Sequence, residues 1–370
     1  MSRRANVINF VGSLGLTLVA FFGVVFYCST EYYEDLFQAM LKFIVGALAC
    51  GLVHTCAHEL AHFIAGKLNG FTFSSMTIWF FKFAKVGKKT KFSLVMMGEE
   101  AGYTEMIPTS TENMAKRLKN MSLAGPITSL VLALVGIIPF FIESLGVWVF
   151  CIWAMMLPIG IYMSLGALLP ASTDGVRNDG AVVYGIKHND DVSKVTINLL
   201  KIQAETYNGK TPSEVDESLY FDLPQLPEDD TNFVMLLNAR YLYYLDKGDY
   251  ENAKKVTERL VGLTDDLPKY FVAPIMVDAL YNACTFDFDD KKADEITEDY
   301  EKFLNNVNTA TNVRAKLAYL LYVKGEKEAF DIFYKKGIKE ADKCQIKGLG
   351  ILEKKLFDKM KSDLEQNANA

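Results

Sequence analysis

Charged residues are scarce in the first half of this chain of 370 residues. Residues 1–180 contain 13 basic residues (Lys or Arg) and 11 acidic residues (Asp or Glu). Residues 181–370 contain 26 basic and 34 acidic residues. Hydrophobic residues make up 50% of the chain and the mean hydropathy is +0.11, which is high for a purely soluble protein. The length allows two domains, and the uneven charge indicates that only the first lies in a membrane.

Paired cysteines and clustered basic residues are also lacking. The six cysteines include no Cys-x-x-Cys pair, and four lie in apolar segments, where cysteine packs as a small hydrophobic residue. This pattern excludes a zinc ribbon and gives no sign of a disulfide framework. The formal net charge of −6, with no basic face or base-stacking motif, gives no reason to expect a nucleic-acid partner.

The first half instead contains four apolar segments of membrane-spanning length. Residues 5–30 are uncharged over 26 residues, more than the about 20 that cross a bilayer. Three further spans are predicted at residues 37–66, 122–142 and 144–173. A signal peptide is the alternative for the first segment, but its apolar region would be shorter and a small-x-small cleavage site is missing, so we favour an anchor.

The charges of the loops between these spans predict the orientation in the lipid bilayer. Arg3 and Arg4 precede the first span, and nine Lys and Arg lie between the second and third spans. The other two loops are short and acidic. Because basic loops stay in the cytosol, we expect a multi-pass membrane protein with a cytosolic N-terminus and a cytosolic C-terminal domain.

Histidine is rare, and three of the four histidines lie in one nine-residue segment inside the second span. The motif His58-Glu59-Leu60-Ala61-His62 places two imidazoles on one face of a helix, where both can bind one metal ion. The glutamate between them can reach a water at the metal. We therefore predict one Zn²⁺ per chain, held by His58 and His62, with Glu59 as general base.

Two packed histidines without a metal are the alternative interpretation of this motif. A buried glutamate between them would then have no partner, and this favours the metal site. His54 lies one helical turn earlier on the same face. It either supports the metal ligands, faces the substrate, or is a packed and hydrogen-bonded histidine, and we favour the packed histidine.

A catalytic zinc site also needs a third protein ligand. The fourth span ends in a segment, residues 168–180, that contains Pro170 and two Asp-Gly pairs. This segment returns to the side of the membrane where His62 lies, so Asp174 and Asp179 are the best-placed carboxylates. Asn178 could orient the ligand beside it or serve only as a turn residue, and we favour the turn.

Over residues 37–190, these motifs resemble the site-2 protease family of intramembrane zinc metallopeptidases. In that family an aspartate of an Asp-Gly motif, at the end of a later membrane helix, joins the two histidines as third ligand. Ala124-Gly125-Pro126 is similar to the family's Gly-Pro turn at the start of a membrane helix. Gly102–Pro108 is similar to the loop after its membrane-surface strands.

The resemblance implies zinc-dependent cleavage of membrane proteins or peptides in or near their membrane-spanning segments. It favours Asp179 as the third ligand, with Asp174 as the alternative, because an amphipathic segment follows Asp179. The family pattern is Asn-x-x-Pro, four residues, then Asp-Gly. Here Ala167 stands at the Asn position, and three residues separate Pro170 from Asp174 and eight from Asp179.

Between the second and third spans, Phe71–Val86 and Lys91–Met97 predict two strands around a turn at residues 87–90. We expect a small β-hairpin at the membrane surface. Its free edge could bind an unwound substrate by strand addition, or the hairpin could only cap the helix bundle. The sequence leaves both possibilities open.

The second half predicts a linker over residues 191–230 and a soluble α-helical domain over residues 231–370. Three similar segments end near Ala253, Ala293 and Ala329, which are 40 and 36 residues apart. They resemble degenerate tetratricopeptide hairpins. Such a domain would bind a protein partner or simply fold as an α-solenoid.

The predicted fold is therefore mainly α: a membrane helix bundle of about four spans with a small β-hairpin in residues 1–190, followed by the helical repeat-like domain. The predicted function is that of an intramembrane zinc metalloendopeptidase. One alternative is a membrane-anchored zinc peptidase that acts on soluble peptides. The other is a non-enzymatic membrane scaffold that acts through its helical domain.

Overall fold

The computed structural model describes residues 3–32, 36–96, 102–173, 175–267 and 269–369. The chain forms two compact units. The first comprises Met1–Ala84, Thr90–Met106 and Asn113–Ser193, and the second comprises Lys85–Lys89, Ile107–Glu112 and Lys194–Ala370. Helices dominate both units.

Six helices form most of the first unit: α1 (Arg3–Glu31), α2 (Leu36–Leu68), α3 (Met114–Val135), α4 (Val147–Ala154), α5 (Met156–Leu168) and α6 (Asp179–His188). Four stretches of the described chain are long and apolar enough to cross a membrane, namely Asn9–Glu31, Phe37–Leu68, Met114–Phe141 and Val147–Leu168. They coincide with the four predicted spans. The helix of the third span begins at Met114, because the basic segment before Ser122 is also helical, as expected for a basic helix that runs into this span.

Small residues allow the helices of this bundle to approach each other closely. A Cβ atom on Gly46 of α2 would lie 3.1 Å from the backbone of Cys151 in α4. A Cβ atom on Gly160 of α5 would lie 2.6 Å from the Cβ atom of Ala133 in α3. In lipid, such close van der Waals packing drives much of helix association. As a result, α3 packs against both α2 and α5.

A four-stranded sheet lies between α2 and α3 in the chain. Its strands are β1 (Phe71–Ile78), β2 (Phe81–Val86), β3 (Lys89–Leu94) and β4 (Gly102–Pro108), in the order β3-β2-β1-β4. The predicted strand Phe71–Val86 is thus two antiparallel strands, with Ile78 opposite Phe81.

The turn between β1 and β2 explains this difference. Trp79 has a φ of 54°, in the left-handed region that suits a two-residue hairpin turn. Tryptophan rarely adopts this conformation and carries no turn signal, so the sequence pattern misses the turn. Met97, the end of the predicted return strand, lies outside the described residues. The location of the sheet at a membrane surface stays a prediction.

After α5 come two short paired strands, β5 (Ser172–Thr173) and β6 (Val176–Arg177), and then α6. The remaining helices are α7 (Asp191–Tyr207), α8 (Ser218–Phe221), α9 (Thr231–Lys247), α10 (Tyr250–Val261), α11 (Lys269–Asn282), α12 (Asp290–Asp299), α13 (Glu301–Asn306), α14 (Ala310–Ala318), α15 (Phe330–Ala341) and α16 (Lys347–Asn369). Most of them belong to the second unit.

Neighbouring helices of the second unit pack against one another, α9 with α10, α10 with α11, and α14 with α15. Helix α11 also packs against α14. Leu280, Leu317 and Phe357 lie in their common core. The segment predicted as a linker, residues 191–230, contains α7, α8 and the buried residue Tyr220. The domain limits, the tetratricopeptide likeness and a protein partner for this region stay predictions.

Arg314 of α14 is a fully buried cation in the second unit. Its Nε donates to Oε2 of Glu353 at 2.9 Å, and its Nη2 donates to Oδ1 of Asp278 at 3.1 Å. One cation therefore faces two carboxylates. Burial raises the pKa of Asp278 to about 6, and the Arg314 charge only partly offsets this effect.

We predict that the second unit loses stability as the pH rises through 6. The pKa of Asp278 is about 6 in the folded chain, above the about 3.9 of an unfolded chain. The folded state therefore binds more protons between these values. The stabilisation, about 3 kcal/mol, is complete below about pH 3.9 and is lost as the pH rises through about 6. Hydrogen exchange of α11 and α14 amides in the full chain measures the opening free energy against pH.

Two variants separate Asp278 from other carboxylates. Asp278→Asn should remove this loss of stability. Asp294→Asn should keep it, because hydrogen bonds from Lys324 and Tyr319 lower the pKa of Asp294 out of this range. An equally steep pH dependence in Asp278→Asn would contradict the prediction.

Candidate metal centre

His58 and His62 lie in the second half of α2, on one face of the helix. Their rings are neighbours, with centroids 4.7 Å apart. Both side chains are almost buried, with residue exposures of 8% and 9%. The four-residue spacing of the motif therefore directs two imidazoles into one interior space of the first unit.

Asp179, the first residue of α6, contributes a carboxylate to the same place. Its Oδ2 lies 3.5 Å from Nε2 of His58 and 3.3 Å from Nε2 of His62. The three side-chain atoms lie within 4.8 Å of one another. Among the described residues, His58, His62 and Asp179 thus form a group that could hold a metal ion. Ligands at tetrahedral zinc are about 3.4 Å apart, given zinc–ligand distances of about 2.1 Å. The donor set therefore fits zinc.

Each histidine is oriented by a hydrogen bond on the far side of its ring. Nδ1 of His62 lies 2.8 Å from the carbonyl oxygen of Met121, and Nδ1 of His58 lies 3.0 Å from Oγ of Ser129. Because a carbonyl can only accept, Nδ1 of His62 donates, and its Nε2 keeps the lone pair that a metal needs. Both partners belong to α3.

Gly125 of α3 faces the space between the two imidazoles. A Cβ atom at this position would lie 2.3 Å from Nε2 of His62 and 2.5 Å from Nε2 of His58. Any other residue would thus occupy the volume where the ligand atoms converge. The glycine of the Ala124-Gly125-Pro126 segment keeps this volume open for an ion.

Glu59 lies beside the histidine pair and is 5% exposed. Its Oε2 accepts a hydrogen bond of 2.6 Å from the hydroxyl of Thr104 in β4. A Cβ atom on Gly102 would lie 2.5 Å from its Oε1. The carboxylate is thus held through one oxygen, while the absence of a side chain at Gly102 leaves room at the other.

The remaining candidates of the sequence analysis have separate environments. His54 is fully buried, and its Nε2 lies 3.0 Å from the carbonyl oxygen of Met156. Its Nδ1 has no hydrogen-bond partner among the described residues, and the role of His54 stays a prediction. Asn178 caps the N-terminus of α6 by accepting from the backbone of Ala181. Asp174 lies outside the described residues.

Thr104 and Ser129 are site residues that the sequence analysis did not identify. Each contacts the motif helix from an element far along the chain, 45 and 71 residues away. Isolated hydroxyl residues carry no periodic or spacing signal. Thr104 lies in the Gly102–Pro108 segment, which resembles the family loop. This position is the one signal in the sequence that could have indicated Thr104 as a site residue.

We predict that Gly125→Ala abolishes zinc binding, because the added methyl group would occupy the space between the two Nε2 atoms. Metal analysis of the purified protein in detergent measures the zinc content per chain. Gly15→Ala is the control in another membrane helix, since a Cβ atom there meets no atom within 4 Å. Full zinc content in Gly125→Ala would show that the ion binds elsewhere.

The chain matches the family described as peptidase family M50 over residues 46–356. The match extends beyond the region of the sequence resemblance, residues 37–190, into the second unit. Neither a curated protein nor a solved structure matches the chain. Since the family match covers most of the chain and includes the His58–His62 motif, the chain belongs to peptidase family M50, the site-2 protease family of zinc-dependent membrane peptidases.

Proposed function

We propose that this integral membrane peptidase is a zinc endopeptidase that cleaves its substrates in or near their membrane-spanning segments. The observation that carries the proposal is the convergence of His58, His62 and Asp179 on one point beside Glu59. Two imidazoles and a carboxylate are a ligand set of catalytic zinc sites, which keep a further position for water. When bound, zinc supplies Lewis acidity that acidifies a water and polarises a peptide carbonyl.

Glu59 is the proposed general base. Thr104 donates to Oε2, so Oε1 is the oxygen that takes the proton from water. The same oxygen then gives the proton to the leaving amine, and the peptide bond is hydrolysed without a covalent intermediate. Burial of the carboxylate keeps bulk water away from this proton transfer.

The substrate would bind as an extended strand along β4. In the part of the chain that the structure describes, this strand lies at an edge of the four-stranded sheet. It also carries Thr104, which contacts Glu59 directly. A peptide paired with the outer edge of β4 would therefore pass close to the general base, and strand pairing would hold its backbone extended for cleavage.

We further propose that the N-terminus and the second unit lie in the cytosol. The support is the distribution of basic residues, which flank α2 and α3 on one side of the predicted spans. Lys67 lies in the last turn of α2, five residues after His62. The zinc site would then lie near the cytosolic end of its span, where water can enter.

We predict that Glu59→Gln retains zinc but loses cleavage by at least about a hundredfold, the range expected for loss of a general base. The assay uses the purified chain in liposomes with a panel of single-span model proteins. Cleavage fragments are detected by mass spectrometry. Chelation should stop the wild-type reaction, and added zinc should restore it.

The same assay tests the two alternative functions. Soluble peptides with the sequences of the cleaved segments serve as control substrates, and equal cleavage of these peptides would indicate a peptidase for soluble substrates. Unchanged fragments with Glu59→Gln would exclude Glu59 as the base. A wild-type chain without zinc and without fragments would favour a scaffold.

We predict that protease added to the outside of intact cells leaves the second unit undigested. Protease added to inverted membrane vesicles should remove it, because residues 194–370 would then be exposed. Immunoblotting with an antibody against the C-terminal region detects both outcomes. Digestion in intact cells would reverse the proposed orientation.

A further inference from the structure

The backbone at the end of α5 leaves a carbonyl group without its helical partner. In a helix, the carbonyl of Gly166 would accept from the backbone N–H of residue 170. That residue is Pro170, which has no N–H. An unpaired carbonyl is costly in an apolar environment and needs another donor.

Asn178 supplies this donor. Its Nδ2 donates to the carbonyl oxygen of Gly166 at 2.7 Å and to that of Leu169 at 2.8 Å. Its Oδ1 accepts from the backbone N–H of Ala171 at 3.0 Å and from that of Ala181 at 2.9 Å. The two donors and two acceptor positions of the amide are thus all used.

These four bonds distinguish Asn178 from an ordinary helix cap. Capping requires only the bond from Ala181, which serine or aspartate could also accept. The other three bonds join the start of α6 to the end of α5. Asn178 therefore connects the two segments on either side of the β5–β6 hairpin.

Gly180 completes the same junction on the other side of Asp179. A Cβ atom on Gly180 would lie 2.1 Å from the carbonyl oxygen of Leu168, so only glycine allows α6 to approach α5 this closely. Asp179 is held between these two neighbours. Its carboxylate, 3.3 Å from Nε2 of His62, depends on the position that they impose.

We infer that Asn178 is a positioning residue, which holds Asp179 at the metal site by tying the start of α6 to the end of α5. The inference rests on the proposed function, because it assumes that Asp179 binds zinc. It assigns to Asn178 a role beyond the turn that the sequence favours. A chain without Asn178 would fold but would present the third ligand less precisely.

The test compares the zinc affinities of the purified full chain and its variants, measured by competition with a chromogenic chelator. Asn178→Ser and Asn178→Asp keep the cap but lack the amide that donates to Gly166 and Leu169. Both should bind zinc about 10- to 100-fold more weakly, as when an outer partner of a metal ligand is removed. Asp249→Ser, the same kind of change at the cap of α10, should keep the wild-type affinity.

A second measurement separates a weakened site from a misfolded chain. At saturating zinc, Asn178→Ser should regain one zinc per chain and show the thermal unfolding transition of the wild type. Wild-type affinity in both Asn178 variants would overturn the inference and leave the proposed function intact. The same holds if saturating zinc fails to restore one zinc per chain in Asn178→Ser. A wild-type chain that binds no zinc would overturn the proposed function and the inference together.

Discussion

The candidate metal centre depends above all on the close approach of α3 to α2. Gly125 permits this approach, since a Cβ atom there would lie 2.3 Å from Nε2 of His62. The same helix supplies Ser129 and the carbonyl of Met121, which orient His58 and His62. Room for an ion and the orientation of both imidazoles thus come from one helix–helix contact. If α3 moved away, the contacts that orient both imidazoles would be lost together.

Several buried polar side chains of α2 are tolerated because groups on other elements contact them, although Nδ1 of His54 has no hydrogen-bond partner among the described residues. An unpaired polar group costs several kcal/mol in lipid. Glu59 accepts from Thr104 of β4, His54 contacts the carbonyl of Met156 at the start of α5, and His58 contacts Ser129 of α3. The motif helix would therefore be unfavourable in a bilayer by itself. Packing of the sheet and of two helices around it makes the buried glutamate and histidines possible.

Features that depend on one continuous segment could be predicted from the sequence. The four spans follow from long apolar runs, and the shared face of His58 and His62 follows from their spacing. Features that depend on contacts between distant segments could not. The contact between the Thr104 hydroxyl and Glu59 joins segments that are far apart in the chain, and the turn at Trp79 has an unusual backbone conformation. Neither feature has a local sequence pattern. For the same reason, the sequence favours Asn178 only as a turn residue, although its amide forms bonds across the β5–β6 hairpin.

The unusual spacing before Asp179 has a structural explanation. Eight residues separate Pro170 from Asp179, but β5 and β6 pair with each other, with Ser172 opposite Arg177. The two ends of this hairpin meet, since the backbone N–H of Asn178 donates to the carbonyl of Ala171 at 3.1 Å. The additional residues are therefore looped out, and Asp179 begins α6 directly beside the end of α5. The number of residues between Pro170 and Asp179 is therefore larger than in the family pattern, although the two ends of the loop lie close together in space. Additional loop residues of this kind cost little free energy when the ends remain fixed, so a carboxylate can keep its position beside two histidines while its sequence spacing changes.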